Sequence, residues 1–189
     1  MKPHALHLVP KPPAEAPDTV ALDRVARGDV SALGDVYDRH AVALLRFASR
    51  VSGHHDAEDL VQATFVKAVK IAGTYDGRTN NARSWLYGIA ARLIHERRRS
   101  IGRFTRAILR LGEGAVTAHH AGDSHHRSDL ERGLDDLSEA KRVVIILAEV
   151  EEYTCEEIAG MLEIPVGTVW TRLHHARKQL RAFYEEASR

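Results

Sequence analysis

Of 189 residues only one is cysteine, Cys155. That scarcity excludes an internal disulfide framework and any zinc site built on several thiolates, and it fits a reducing compartment. Missing too is any run approaching the roughly 18 apolar residues that a membrane span requires, so no direct membrane insertion is expected. No glycine-rich phosphate loop, HExxH run or nucleophile elbow appears. No catalytic residue is therefore assigned, and the chain is expected not to be an enzyme. Net charge is scarce as well: 27 Lys and Arg stand against 26 Asp and Glu, leaving +1. Overall charge announces no polyanionic partner, so one has to be sought in local segregation. The proline-rich start, MKPHALHLVPKPPAEAP, lacks the apolar core of a signal peptide, and residues 1–18 are read as a disordered tail.

What is present is helical spacing. From Thr19 onward no stretch alternates convincingly at a period of two, so the fold class is all-α. A short helix is expected over 19–27, ending near Gly28. A second runs from Val30 to Val51, with Leu33, Val36, Tyr37, Leu44, Leu45 and Phe47 apolar. A third opens at Asp56 and buries Leu60, Val61, Phe65, Ala68 and Val69. Gly73 to Asn81 reads as a polar loop. A fourth helix spans Ala82 to Arg99, with Trp85, Leu86, Ile89, Ala90, Leu93 and Ile94 on one face. It leads into a basic run: Arg92, Arg97, Arg98, Arg99, Arg103, Arg106 and Arg110. Phosphate contact with counterion release fits that run, and so does a solvated helix end favoured by the C-terminal dipole. Periodicity then fails from Gly112 to Asp129. The parse is two small helical domains, 19–110 and 132–189, joined by a flexible linker over 111–131. In the second, Ser138 is expected to cap a helix whose Val143, Val144, Ile146, Leu147 and Val150 pack inward.

The segment Thr154 to Arg181 carries the most specific pattern. Thr154 and Glu157 stand at capping-box spacing, ahead of Ile158, Met161 and Leu162. Pro165 pushes Ile164 out of helical geometry, and a new helix follows from Val166. Its apolar positions, Val166, Val169, Leu173, Ala176, Leu180 and Phe183, form one narrow face. Gly167, Thr171, His174, His175 and Lys178 fall on or near the opposite side, flanked by Arg172, Arg177 and Arg181. A helix-turn-helix of this kind suits the major groove of DNA. A plain packed hairpin with a solvated charged face fits the same pattern.

Taken in order, these motifs resemble the extracytoplasmic-function (group 4) sigma factors of bacterial RNA polymerase over roughly residues 20–185. Asp56-Ala57-Glu58-Asp59-Leu60-Val61-Gln62-Ala63-Thr64-Phe65 is similar to the family's polymerase-binding motif. Trp85-Leu86-Tyr87-Gly88-Ile89-Ala90 is similar to its promoter-melting helix. Leu137-Ser138 resembles the Leu-Pro that opens its second domain. Glu156-Glu157-Ile158-Ala159 and Ile164-Pro165-Val166-Gly167-Thr168-Val169 resemble its final helix-turn-helix. The resemblance implies a dissociable promoter-specificity subunit that binds core polymerase at the clamp helices of the largest subunit and at the beta flap. It also implies promoter DNA as ligand, no cofactor, and a cytoplasmic, nucleoid-associated location. Anti-sigma proteins, commonly membrane-anchored, often hold such factors inactive. Asp59 and Gln62 are then the polymerase-binding candidates, while Ala63 stands where the family usually has Glu. Tyr75, Arg78, Asn80 and Arg83 are candidates near an extruded minus-ten base, and Arg92 and Arg99 for phosphates. Ala91-Arg92 replaces the family's Arg-Asn pair. For Tyr87, base stacking and packing both fit; Trp85 is expected in the core. Thr168, Trp170, Thr171, Arg172, His175 and Lys178 are the minus-thirty-five candidates, with Trp170 in place of the usual lysine.

Two other readings compete. A helix-turn-helix regulator acting without polymerase would share the second domain but not the acidic-then-basic helices of the first. A metal protein would use His119, His120, Asp123, His125 and His126, which a floppy linker does not support well; no metal site is assigned. Cys155 is expected as a small hydrophobe rather than a redox switch.

Overall fold

Two glycines at positive φ, Gly28 at 99° and Gly53 at 83°, set the corners of the N-terminal half. Such angles are open to glycine at little steric cost. In the computed structural model, residues 16–77, 81–110 and 129–187 are described, and they form eight α-helices and no strand. The first bundle holds α1 (Ala16–Ala26), α2 (Leu33–Ser52), α3 (His54–Ile71) and α4 (Ala82–Arg110). The second holds α5 (Asp129–Asp135), α6 (Glu139–Glu149), α7 (Cys155–Leu162) and α8 (Val166–Ala187). The all-α reading with a C-terminal helix-turn-helix therefore stands.

In the first bundle α2 packs on α3 and α4, and α1 lies across α2. Val36, Leu44, Phe47 and Ala48 meet Leu60, Val61, Phe65, Leu86, Ile89 and Ala90, all buried. Val69, expected in this core, is only partly buried and packs against Val25, Ala32 and Ala72 instead. In the second bundle α6 packs on α7 and α8. Its other side meets α2 and α4, so one continuous core runs through both bundles. That explains why five consecutive residues of α6, Val143 to Leu147, are buried, where the sequence reading left out Ile145. A helix covered on all sides loses its polar face.

Several boundaries differ from expectation. Helix α4 continues to Arg110 rather than ending at Arg99, and α5 begins at Asp129 where linker was expected. Helix α1 starts at Ala16, inside the expected tail; residues 1–15 and 111–128, including the linker histidines, lie outside the described residues. Ser138 makes no side-chain cap; its carbonyl instead accepts from the Lys141 and Arg142 amides at 2.9 Å each. Val150 is exposed, because it already terminates α6.

One buried polar network ties α1 to α2. The Asp18 carboxylate accepts from Arg39 Nε and from His40 Nε2, each at 2.7 Å. Asp18 and His40 are both buried. Removing the carboxylate strands the two partners away from water, a larger cost than an exposed ion pair carries. Asp18→Ala should therefore lower unfolding free energy by about 3 kcal/mol, read as a drop in urea midpoint at unchanged slope.

Candidate nucleic-acid interface

The helix-turn-helix is built from local chemistry. Thr154 Oγ1 accepts from the Glu157 amide (3.2 Å) while Glu157 Oε2 accepts from the Thr154 amide (2.9 Å), closing the capping box. Helix α7 ends at Glu163 in left-handed geometry, φ 54°. That conformation costs a non-glycine residue about 1 kcal/mol. The Ile164 amide then bonds back to the Ala159 carbonyl at 3.1 Å, and the Pro165 carbonyl accepts from Thr168 (2.8 Å) to start α8. Val169, Leu173 and Ala176 face α6 and α7, buried. Trp170, Thr171, His174, His175 and Lys178 are exposed, Trp170 to 56%. Thr168 and Arg172 are half-buried at the flank. Thr171 Oγ1 donates to the Gly167 carbonyl at 2.8 Å, leaving its lone pairs outward. Arg177 is engaged by Glu149 of α6 at 2.5–2.8 Å.

A second exposed face lies on α3. Asp59 and Gln62 are both exposed one turn apart. Val66, a further turn along, is 57% exposed, and Tyr37 of α2, 45% exposed, rests on Phe65 with ring centroids 4.8 Å apart. Leu45 is exposed as well. The sequence reading took Tyr37 and Leu45 simply as apolar residues of α2. The available signal was adjacency: Val36–Tyr37 and Leu44–Leu45 are neighbours some 100° apart on a helix, so only one of each pair can face the core.

The third region is the start of α4. Asn81 accepts the Ser84 amide on Oδ1 at 2.7 Å and so caps the helix. Tyr75 packs on Trp85 at 5.4 Å, and its hydroxyl is bonded by Thr19 of α1. Burial pushes that phenol above its ordinary range. Arg78 and Asn80 lie outside the described residues. Arg83 and Arg99 are exposed. Trp85 is in the core, as expected. Tyr87 is 1% exposed, held between Phe47 (4.7 Å) and Tyr153 (6.1 Å, edge-on), with its hydroxyl donating to Glu151 at 2.7 Å. Packing, not an open stacking surface, is its state here. Arg92 pairs with Glu163 at 2.5 Å. Arg97 pairs with Asp56 of α3 at 2.9 Å. Glu139, which burial raises above the usual carboxylate range, is faced by Arg98, His95 and Arg142. The acids Glu139, Glu151 and Glu163 were missed by sequence reading, which has no signal for a contact between distant segments.

The chain is similar to known proteins in sequence and fold. The family model described as Sigma-70 region 2 matches residues 36–104, and Sigma-70, region 4 matches residues 127–180. The chain is 32% identical over 188 residues to the ECF RNA polymerase sigma factor SigE of Mycolicibacterium smegmatis, covering 94% of this chain and 72% of that protein. It is 31% identical to the ECF RNA polymerase sigma factor SigL of Mycobacterium tuberculosis, covering 85% and 93%. Among solved structures, the sigma factor RpoE in complex with the anti-sigma factor NepR from Bartonella quintana superposes with TM-score 0.65 at 25% identity, covering 81% and 96%. CnrH in complex with the cytosolic domain of CnrY gives 0.61 at 27%, covering 90% and 98%.

The seam tyrosines make a pH prediction. Burial, and for Tyr87 the bond to Glu151, push both Tyr87 and Tyr153 well above the ordinary phenol value of 10.0. A proton held more tightly when folded means full stability below about pH 10 and progressive loss as pH rises toward the raised values. In an alkaline titration of phenolate absorbance, part of the signal from the five tyrosines should appear only as the seam opens. A Tyr87→Phe, Tyr153→Phe double variant should lack that late component. Ionisation of all five together near the ordinary value would contradict the burial.

Proposed function

Since the chain belongs to the ECF sigma factors of RNA polymerase, we propose that it directs core polymerase to a defined promoter set, with no chemistry of its own. The observation that carries this is the pairing, on one chain, of an exposed Asp59–Gln62–Val66 face with a capped helix-turn-helix presenting Trp170, Thr171, His175 and Lys178. The first domain, 19–110, docks on polymerase and opens the minus-ten element. The second, 132–189, reads the minus-thirty-five element, with 111–131 as connector.

At the polymerase, Asp59 offers a carboxylate and Gln62 an amide to the clamp helices, and Val66 and Tyr37 add apolar area beside them. The second domain meets the beta flap. At the minus-ten element Tyr75, Arg78, Asn80 and Arg83 surround an extruded base, while Arg92 and Arg99 hold phosphates. At the minus-thirty-five element Arg172 addresses guanine, and Trp170 a thymine methyl or the sugar edge. Thr168, Thr171, His175 and Lys178 complete the contact face. No cofactor enters.

Control falls to an anti-sigma partner. RpoE and CnrH, both similar to this chain, are bound by NepR and by the cytosolic domain of CnrY. The chain then works in the cytoplasm at the nucleoid, and a membrane-anchored partner would hold it at the membrane. Among the described residues no helix is long and apolar enough to cross a membrane.

Transcription with purified core polymerase on a promoter library tests the proposal: the chain should produce defined start sites that core alone does not. No start site at any promoter would overturn it, and retention of promoter binding without polymerase would favour a stand-alone regulator. Within that assay, Arg172→Ala should relax base preference at one upstream position by about 1–3 kcal/mol. Arg99→Ala should weaken binding evenly across sequences and lower the salt slope by about one. Asp59→Ala should reduce core-polymerase affinity roughly tenfold, measured by competition, without altering free-chain stability.

A further inference from the structure

Helix α8 opens at Val166, which puts Trp170 in its second turn, the part of a recognition helix that meets base edges. Its side chain is 56% exposed. Among the described residues it makes no hydrogen bond and no ring contact. An indole has more apolar area to withdraw from water than most side chains, so a group that covers its face gains a favourable contact.

The surroundings narrow what that group is. One turn earlier stands Gly167, with open space where a Cβ would project. No side chain at that position shields the indole. One turn later stands His174, exposed, with its ring edge-on to His175 at 5.6 Å. Lys178 continues the same line along the helix, also exposed. An apolar protein surface laid on Trp170 would desolvate these polar and charged neighbours with it, at a cost. A DNA groove presents phosphates for Lys178 and base edges for the indole together.

The major groove offers one apolar group, the C5-methyl of thymine. Polar reading of thymine beside Trp170 is restricted. Thr171 Oγ1 donates its proton to the Gly167 carbonyl at 2.8 Å, so it faces the groove as an acceptor and cannot serve thymine O4. Donation from the indole Nε1–H to a phosphate would use the ring edge and leave both faces wet. A methyl group covers a face.

We propose that Trp170 reads a pyrimidine C5-methyl group in the upstream element, so that uracil loses a contact that thymine makes and 5-methylcytosine regains one that cytosine lacks. This rests on the promoter reading above and gives the chemistry of one contact within it.

The test removes or restores the methyl alone. Holoenzyme assembled from core polymerase and the full chain selects its preferred upstream element from a random duplex library. Each thymine of that element, on either strand, is then replaced singly by uracil, and affinity is read by fluorescence anisotropy. At one position uracil should weaken wild-type binding about fourfold, the worth of one buried methyl. The same replacement should leave Trp170→Ala binding unchanged. Cytosine paired with guanine at that position, followed by 5-methylcytosine, should show a recovery of about fourfold for wild type and none for Trp170→Ala. Circular dichroism should show the variant as helical as wild type, since the side chain lies outside the core. No methyl effect at any thymine, or an equal effect in the two proteins, would overturn the proposal and leave the promoter reading standing. A uniform loss in Trp170→Ala, independent of every uracil, would place the indole on the backbone and overturn it as well. Failure to select any element would strike the promoter reading and the methyl contact together.

Discussion

The close approach of α7 to α4 at Gly88 organises everything else about this molecule. A helix that carries the arginines expected to hold DNA is buried from Trp85 to Ala91, first by its own bundle and then by the other. Tyr87 shows the result: one ring between Phe47 of α2 and Tyr153 of the second bundle, with its hydroxyl bonded to Glu151. The core is continuous across the seam for the same reason. Two modest helical bundles, each short of buried apolar area on its own, gain by sharing it.

Charge is distributed to match. The net value of +1 hides local pairing, with Glu163 beside Arg92 and Glu139 facing His95 and Arg98 of α4. Exposed ion pairs such as Arg92–Glu163 contribute little to stability. By contrast the Asp18–His40–Arg39 network is buried within the first bundle and holds α1 against α2. Through Thr19, α1 in turn supports Tyr75 at the edge of the expected base pocket.

Much of this was legible in the chain alone where the signal is local. The capping box at Thr154–Glu157, the break at Ile164–Pro165 and the 3–4 spacing of α8 depend only on neighbours in sequence, and the structure reproduces each. On α8, Thr171, His174, His175 and Lys178 are exposed as read, while Thr168 and Arg172 are half-buried. What escaped depends on distant contacts. Ile145 reads as surplus until α6 is covered on a second side. Tyr37 and Leu45 read only as apolar residues, and their exposure shows once the neighbouring Val36 and Leu44 take the core positions. Ser138 has the right residue type for a cap, yet its backbone, not its hydroxyl, serves the first turn of α6. The three seam acids carry no sequence mark, because any solvated glutamate looks the same.

The promoter reading proposed above requires one chain of two bundles to span two separated elements on polymerase. Energy transfer between dyes at Asp35→Cys on α2 and Glu185→Cys on α8, with Cys155→Ser, measures that separation directly. High transfer is expected in the free chain, with a fall to near zero when core polymerase and a cognate promoter are added together. High transfer retained in a transcribing complex would contradict it.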